Sequence, residues 1–328
     1  MERLLIMINL NSIKSENKRL VFSTVAKNKR ISRAEISAKT GLSVVTIGKI
    51  ADAFVEFGLM TETKRLDQAA GRRAGILSLN AEKLIIVMER GQTGTAAVIY
   101  AITMDPLAVI RFDEDCSLED VFTAVAEKFV SEFDPANCVG LGMLCDVADE
   151  WNKMTEYAKT FFPDTQYIIG SSVYASTLSM GTHLGQDELG MYLCFNRKYV
   201  RGAFVMNGKI IPRQHERFAE LGSIYTSGIC LLDYLNSATD TEKYGQAVGG
   251  SIYNASRITY TDTFALEIED RENASGIVKI AEEYVNKRYG EINEKPPRVI
   301  DANDGIKYSH SGAIKRLCRL WIERISAN

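Results

Sequence analysis

The punctuation of residues 31–58 restricts this chain more than any other feature. Ser32 stands where a helix N-cap belongs, and Glu35 three positions later completes a capping-box pattern. Gly41 follows Thr40 where a helix end favours a left-handed residue. Ser43 restarts a helix at Val44, and Gly58 stops it after about Phe57. A helix over 33–40, a glycine turn and a second helix over 44–57 is helix-turn-helix spacing. Ile47, Ile50, Ala51, Phe54 and Val55 share one face of the second helix at its 3.6-residue period, and that face is predicted to pack inward. Val44, Val45, Thr46 and Lys49 are left on the other face, near its N-terminus. An earlier helix is predicted from Ser15 to Lys27, with Leu20, Val21, Thr24 and Val25 as its stripe.

The following residues add a wing. Leu59–Thr63 and Gly75–Leu79 read as antiparallel strands, and the basic, glycine-containing run from Lys64 to Arg73 joins them. A recognition helix presents its N-terminal residues to base edges in the major groove. Thr46 can hydrogen-bond a base or phosphate, Val44 or Val45 can touch a thymine methyl, and Lys49 can reach guanine or phosphate. Arg72 and Arg73 at a hairpin tip suit the electronegative minor groove. Arg33 and Ser43, at the starts of the two helices, complete the predicted DNA-binding set.

Charge agrees with this reading. Residues 1–80 carry 14 Lys and Arg against 7 Asp and Glu, whereas the rest of the 328-residue chain carries 25 against 35. A basic segment on an acidic body fits a DNA-binding module joined to a sensor or oligomerisation domain. The apolar run Leu4–Ile8 is far shorter than the ~20 residues of a membrane-spanning helix, so no membrane partner is expected. The six cysteines (116, 138, 145, 194, 230 and 318) contain no Cys-x-x-Cys pair. They are expected to be reduced and mostly buried, in a cytoplasmic protein with no metal and no cofactor.

Residues 81–328 mix strands and helices, which implies an α/β core. Leu84–Met88, Thr95–Tyr100, Val139–Leu144, Tyr192–Phe195 and Gly202–Met206 read as strands. Leu118–Phe133, with Val121, Phe122, Val125, Phe129 and Val130 as its apolar side, Ile277–Tyr289 and Gly312–Ile325 read as helices. Asn207-Gly208 is a hairpin-turn signal.

The runs Ile31–Ser37, Thr40–Ser43, Gly58-Leu59 and Gly71-Arg72-Arg73 resemble the N-terminal domain of repressors of the ROK (repressor, open reading frame, kinase) family, although Ala74 replaces their usual Pro. The body is similar to the sugar-kinase half of that family, through Asn207-Gly208-Lys209, Ala219–Gly222 and Gly228–Leu232. The resemblance implies a winged helix-turn-helix over 1–80 and an actin-like ATPase fold over 81–328, with two subdomains over about 81–190 and 191–328. It also implies that catalysis is lost. Glu89-Arg90-Gly91-Gln92-Thr93 stands for a first phosphate loop of the form Asp-x-Gly-Gly-Thr. Ser172, in the run Ser171–Tyr174, stands at the position of the family's catalytic Asp and cannot serve as that base unaided. Arg197–Gly202 stands for a glycine-rich second phosphate loop. Ser223 takes the place of a zinc-binding His, and only Cys230 remains of the cysteines beside it.

The reading is therefore a non-enzymatic, sequence-specific transcription regulator, expected to repress carbohydrate-related genes. It would bind a double-stranded DNA operator as a homodimer or higher oligomer. A sugar or sugar-phosphate effector would use Glu220, Ser171, Ser172 and Ser223, and Trp151 is either a stacking surface for a sugar or a structural tryptophan. A carbohydrate kinase with an added head, and a constitutive DNA-binding dimer without effector, stay open as alternatives.

Overall fold

A computed structural model describes residues 2–64, 75–91, 94–211, 219–226, 228–238, 240–269, 272–303 and 307–327. Side chains 2–14 and a few isolated ones lie outside the described set. The N-terminal region runs α1 (Glu2–Asn28), β1 (Ile31–Ser32), α2 (Arg33–Thr40), α3 (Val44–Glu56), β2 (Met60–Lys64) and β3 (Gly75–Leu79). The first helix begins thirteen residues before the predicted Ser15. Both sides of the capping box form at Ser32 and Glu35, and Gly41 has φ +73°. The three strands make a sheet in the order β1-β3-β2. The sequence reading missed β1, because two residues carry no periodicity. Ile47, Ile50, Ala51 and Phe54 are buried as predicted, while Val55 is half-buried. The Phe54 ring lies 5.4 Å from that of Phe22 on α1, and it supplies about 1.5–3 kcal/mol of burial.

The chain continues through β4 (Leu84–Gly91), β5 (Gly94–Ala101), β6 (Pro106–Phe112), α4 (Leu118–Glu132), β7 (Cys138–Cys145), α5 (Trp151–Phe161), β8 (Gln166–Gly170) and α6 (Ser172–Met180). These strands form a five-stranded sheet in the order β6-β5-β4-β7-β8. On α4, Val121, Phe122, Val125 and Phe129 are buried, but Val130 is 63% exposed and falls outside the packed stripe.

Then follow β9 (Leu189–Phe195), β10 (Val200–Met206), β11 (Lys209–Ile211), β12 (Ala219–Glu220), β13 (Tyr225–Thr226), β14 (Ile229–Cys230), α7 (Leu231–Ser237), α8 (Thr241–Thr259), β15 (Thr263–Ile268), α9 (Ala274–Glu291), β16 (Arg298–Asp301) and α10 (Tyr308–Ala327). The second large sheet has the order β11-β10-β9-β15-β16, with β12 added to β10. β9 pairs antiparallel with β10 and parallel with β15. Asn207 and Gly208 turn the chain with positive φ, at +51° and +67°. Strand alternation divides the core. Met191, Leu193, Phe195, Phe264 and Leu266 pack with Val248, Ile252 and Ala281 of α8 and α9. Tyr192, Cys194 and Ala265 pack with Val173 and Met180 of α6 and with Tyr308.

Two compact units result: 1–143 with 152–168 and 316–328, and 144–151 with 169–315. The division differs from the expected cuts at 80 and 190. Residues 1–80 stay with the first unit, in which Lys83 Nζ reaches Asn137 Oδ1 at 2.9 Å and Asn80 Nδ2 donates to Gly58 O at 2.9 Å. Residues 169–190 join the second unit because α6 packs on its sheet. Among the described residues, no helix is long and apolar enough to cross a membrane.

Candidate nucleic-acid interface and polar cluster

Ser43 caps α3. Its Oγ accepts from Thr46 N at 3.1 Å and lies 2.9 Å from Thr46 Oγ1, so the Thr46 hydroxyl is held at the first turn of the helix. Val44 and Val45 are 54% and 70% exposed, and Lys49 is exposed one turn later. This end of α3 can offer a methyl surface, a hydroxyl and an ammonium to a base edge. Arg72 and Arg73 lie outside the described residues.

Arg33 is engaged inside the fold. Its Nε and Nη2 donate to Glu62 Oε1 and Oε2 at 3.0 and 2.7 Å, and Nη2 also donates to Asp52 Oδ1 at 2.6 Å. Its Nη1 lies 3.5 Å from Gly48 O. Hydrogen bonding to Glu62, reinforced by Asp52, outweighs burial and raises the guanidinium above its ordinary pKa. The sequence reading missed Asp52 and Glu62, because nothing in their local pattern marks them as partners of a residue on another helix.

The four residues expected around a ligand all belong to the second unit, in different settings. Ser171 is buried as the N-cap of α6, where its Oγ accepts from Val173 N at 3.1 Å. Ser172 opens that helix, and its backbone N–H donates to Asp146 Oδ1 at 3.0 Å. Ser223 is exposed. Glu220 pairs with Arg201, whose Nε donates to Glu220 Oε2 at 2.8 Å. The Arg201 guanidinium also stacks 4.3 Å from the centroid of the Tyr199 ring. Trp151 is half-buried, and its Nε1 donates to Cys145 O at 2.9 Å, a structural contact. Cys230 Sγ lies 2.9 Å from Asp233 Oδ2. Only Cys145 and Cys194 are fully buried among the six cysteines. The other four are half-buried, which corrects the expectation of mostly buried thiols.

A second polar group forms where β9 and β15 end. Their parallel register sets Cys194 beside Glu267, on the face that also carries Tyr192. The Tyr192 hydroxyl donates to Glu267 Oε2. Glu269 Oε2 accepts from Asn196 Nδ2 at 3.1 Å and from the Tyr199 hydroxyl at 3.2 Å. Lys307 Nζ lies 3.7 Å from a carboxylate oxygen of each glutamate. Burial first, then the nearby carboxylates, pushes the Tyr192 phenol and the Cys194 thiol far up. Burial likewise raises the Tyr199 phenol, helped by Cys194, Glu269 and Asp146. The phenols therefore keep their protons and donate them. The Cys194, Glu267 and Glu269 ligand atoms lie within 4.8 Å of one another, and among the described residues no other such group of potential metal ligands was found. Its carboxylates are held by hydroxyl, amide and ammonium donors, and its thiol is protonated. No sequence spacing exposes this group, since residues over 70 positions apart build it.

No protein-family model and no curated protein sequence matches the chain. Solved structures do match. A ROK family transcriptional regulator, a homologue of the E. coli MLC protein, superposes with a TM-score of 0.69 at 12% identity, over 96% of this chain and 100% of that one. A ROK family protein from Streptococcus pneumoniae, solved with sucrose, gives 0.52 at 14% identity, over 74% and 99%. A ROK family glucokinase from Streptomyces griseus, solved with glucose and AMPPNP, gives 0.52 at 13%, over 71% and 98%. The chain has the two-subdomain α/β fold of the ROK family, preceded by the helical N-terminal region that the full-length regulator shares.

Proposed function

We propose that this chain is a sequence-specific, DNA-binding transcription regulator of the ROK family, a repressor of carbohydrate-related genes in which the kinase-like body has no enzymatic role. The observation that carries the proposal is the capped, exposed start of α3, which offers Val45, Thr46 and Lys49 above a packed inner face. The full-length likeness to a ROK transcriptional regulator supports it. Arg72 and Arg73 would add minor-groove contacts, and a homodimer would read two half-sites in the cytoplasm. The test is to select duplexes from a random-sequence library with the purified full chain and to map the contacts. A selected palindrome whose retention falls with Lys49→Ala is expected. Failure to enrich any sequence overturns the proposal.

The body supports a ligand-sensing role better than catalysis. Ser172 gives no carboxylate, and Arg201 and buried Tyr199 fill the second phosphate loop. The sucrose complex of the streptococcal protein makes a sugar effector a reasonable class to screen. One observation favours the alternative of a carbohydrate kinase: Asp146 places a carboxylate at the start of α6, against the Ser172 backbone. A coupled ATPase assay with a panel of sugars separates the two. Turnover abolished by Asp146→Asn would establish the kinase.

A further inference from the structure

We infer that Arg33 is a positioning residue for DNA recognition: with Asp52 and Glu62 it fixes the angle between the recognition helix and the hairpin that follows it. The inference rests on the DNA-binding reading above. Three elements meet at one side chain. Arg33 opens α2, Asp52 lies on α3, and Glu62 lies in β2. A guanidinium is a rigid planar fork, so a bidentate hold on one carboxylate and a third bond to another specify direction as well as distance. Neither α3 nor β2 can swing about α2 without giving up one of these bonds. The Arg33 side chain is 26% exposed, and its Nε and Nη2 are turned to these two carboxylates.

Two further observations separate this role from a direct phosphate contact. First, the two carboxylates outnumber the one guanidinium, so the group as a whole repels phosphate. Second, Gly75 is built around the tie. A Cβ at that position would lie 2.1 Å from Glu62 Oε1 and 2.6 Å from Glu62 Cδ. Glycine at the start of β3 thus leaves the Glu62 carboxylate the room it needs to reach Arg33. Alanine there would displace the carboxylate while leaving every charge in place.

The two roles predict opposite signs for one substitution. If Arg33 touches phosphate directly, Glu62→Gln frees it, removes an acidic neighbour and tightens binding. If Arg33 is a clamp, Glu62→Gln weakens binding. The probe is a labelled duplex enriched from a random library by the wild-type full chain, titrated with Arg33→Ala, Glu62→Gln, Asp52→Asn and Gly75→Ala. Thermal midpoints show which variants are folded, and the Glu62, Asp52 and Gly75 variants substitute for one another should one not fold. Glu62→Gln and Gly75→Ala are each expected to bind at least about threefold more weakly, the lower range of coupling between residues in contact. The decisive readout is a cycle with Arg72→Ala/Arg73→Ala. A clamp makes the cost of that double change smaller in the Glu62→Gln background, because a misaimed hairpin has less to lose. General loosening of the domain leaves the cost unchanged, and that result overturns the proposal. Equal or tighter binding by Glu62→Gln overturns it as well and leaves DNA recognition intact. A library that yields no duplex for the wild type removes both readings together.

Discussion

Lys49 keeps in the folded chain the exposure that its place on α3 predicts, and Thr46 is oriented by its contact with Ser43. Replacing either by Ala is expected to cost about 1–3 kcal/mol of DNA binding where a base contact is lost. Titrations on the selected duplex and on a scrambled one check this: a base contact costs affinity on the first alone, and equal loss on both marks a phosphate contact. Cys145 offers a separate prediction. Burial, then the Glu150 carboxylate, pushes its thiol from the ordinary value near 9.0 up to about 12, against the backbone bond to Val147, which lowers it. Below pH 9 both folded and unfolded chains keep this proton, and the contribution to stability is complete. As pH rises from 9 towards 12 the unfolded thiol ionises first, so stability is lost across that window. Thermal midpoints at pH 8 and pH 11 should therefore fall less in Cys145→Ala than in the wild type, and parallel falls would assign the alkaline loss to other groups. At this scale Ser32, Glu35 and Ser43 were legible, since a cap acts within three residues. Arg33 and Glu220 were legible only as charges. Their partners lie 29 and 19 positions away, and only folding brings them together.

In the N-terminal region α2 and α3 could be read because each has a start signal and a stop, whereas β1 and the start of α1 carry none. The body was read less completely, for two physical reasons. α6 is buried nearly all round, so its seven buried residues show no stripe. β15 is buried at every position and lacks the alternation of a half-exposed strand. One tight contact between elements makes a prediction. A Cβ at Gly312 on α10 would lie 1.8 Å from Ala175 O on α6, a backbone atom that cannot rotate away. Gly312→Ala should cost more than the 1–3 kcal/mol typical of overpacking, because the helices themselves must part. Urea unfolding of the purified variant measures it. A loss below 1 kcal/mol would show that the two helices separate easily.

For the molecule as a whole the oligomeric state is the first quantity to fix. One helix-turn-helix reads a half-site, and two-fold symmetry suits a palindrome. Light scattering at concentrations that retain DNA is expected to give about twice the 36.5 kDa chain mass. A monomer bound to DNA would refute the dimer. Effector binding is the second. Glu220 already accepts a charge-assisted bond from Arg201, which a sugar hydroxyl would have to share, so the usual sugars of kinases should bind weakly. Calorimetry with sugars and sugar phosphates, on the wild type and Glu220→Ala, is expected to show a ligand whose affinity depends on Glu220. Equal affinity for both proteins would move the site elsewhere. The charge contrast between the two regions did not foreshadow the compact units, in which residues 1–80 stay with part of the body.

The first helix also imposes a schedule. Lys18 Nζ donates to Ile325 O at 3.0 Å across 307 positions of sequence, and Arg19 meets Glu323 at 3.8 Å. On a ribosome adding about 5–20 residues per second, these partners of α1 emerge roughly 15–60 seconds after it. Residues 31–79 hold the contacts of α2 with α3 and of β2 with β3 and can condense early. The helix that packs Phe22 against Phe54 gains its last anchors only when the end of α10 has been made. A nascent chain therefore holds a condensed 31–79 region before the contacts that anchor α1 exist.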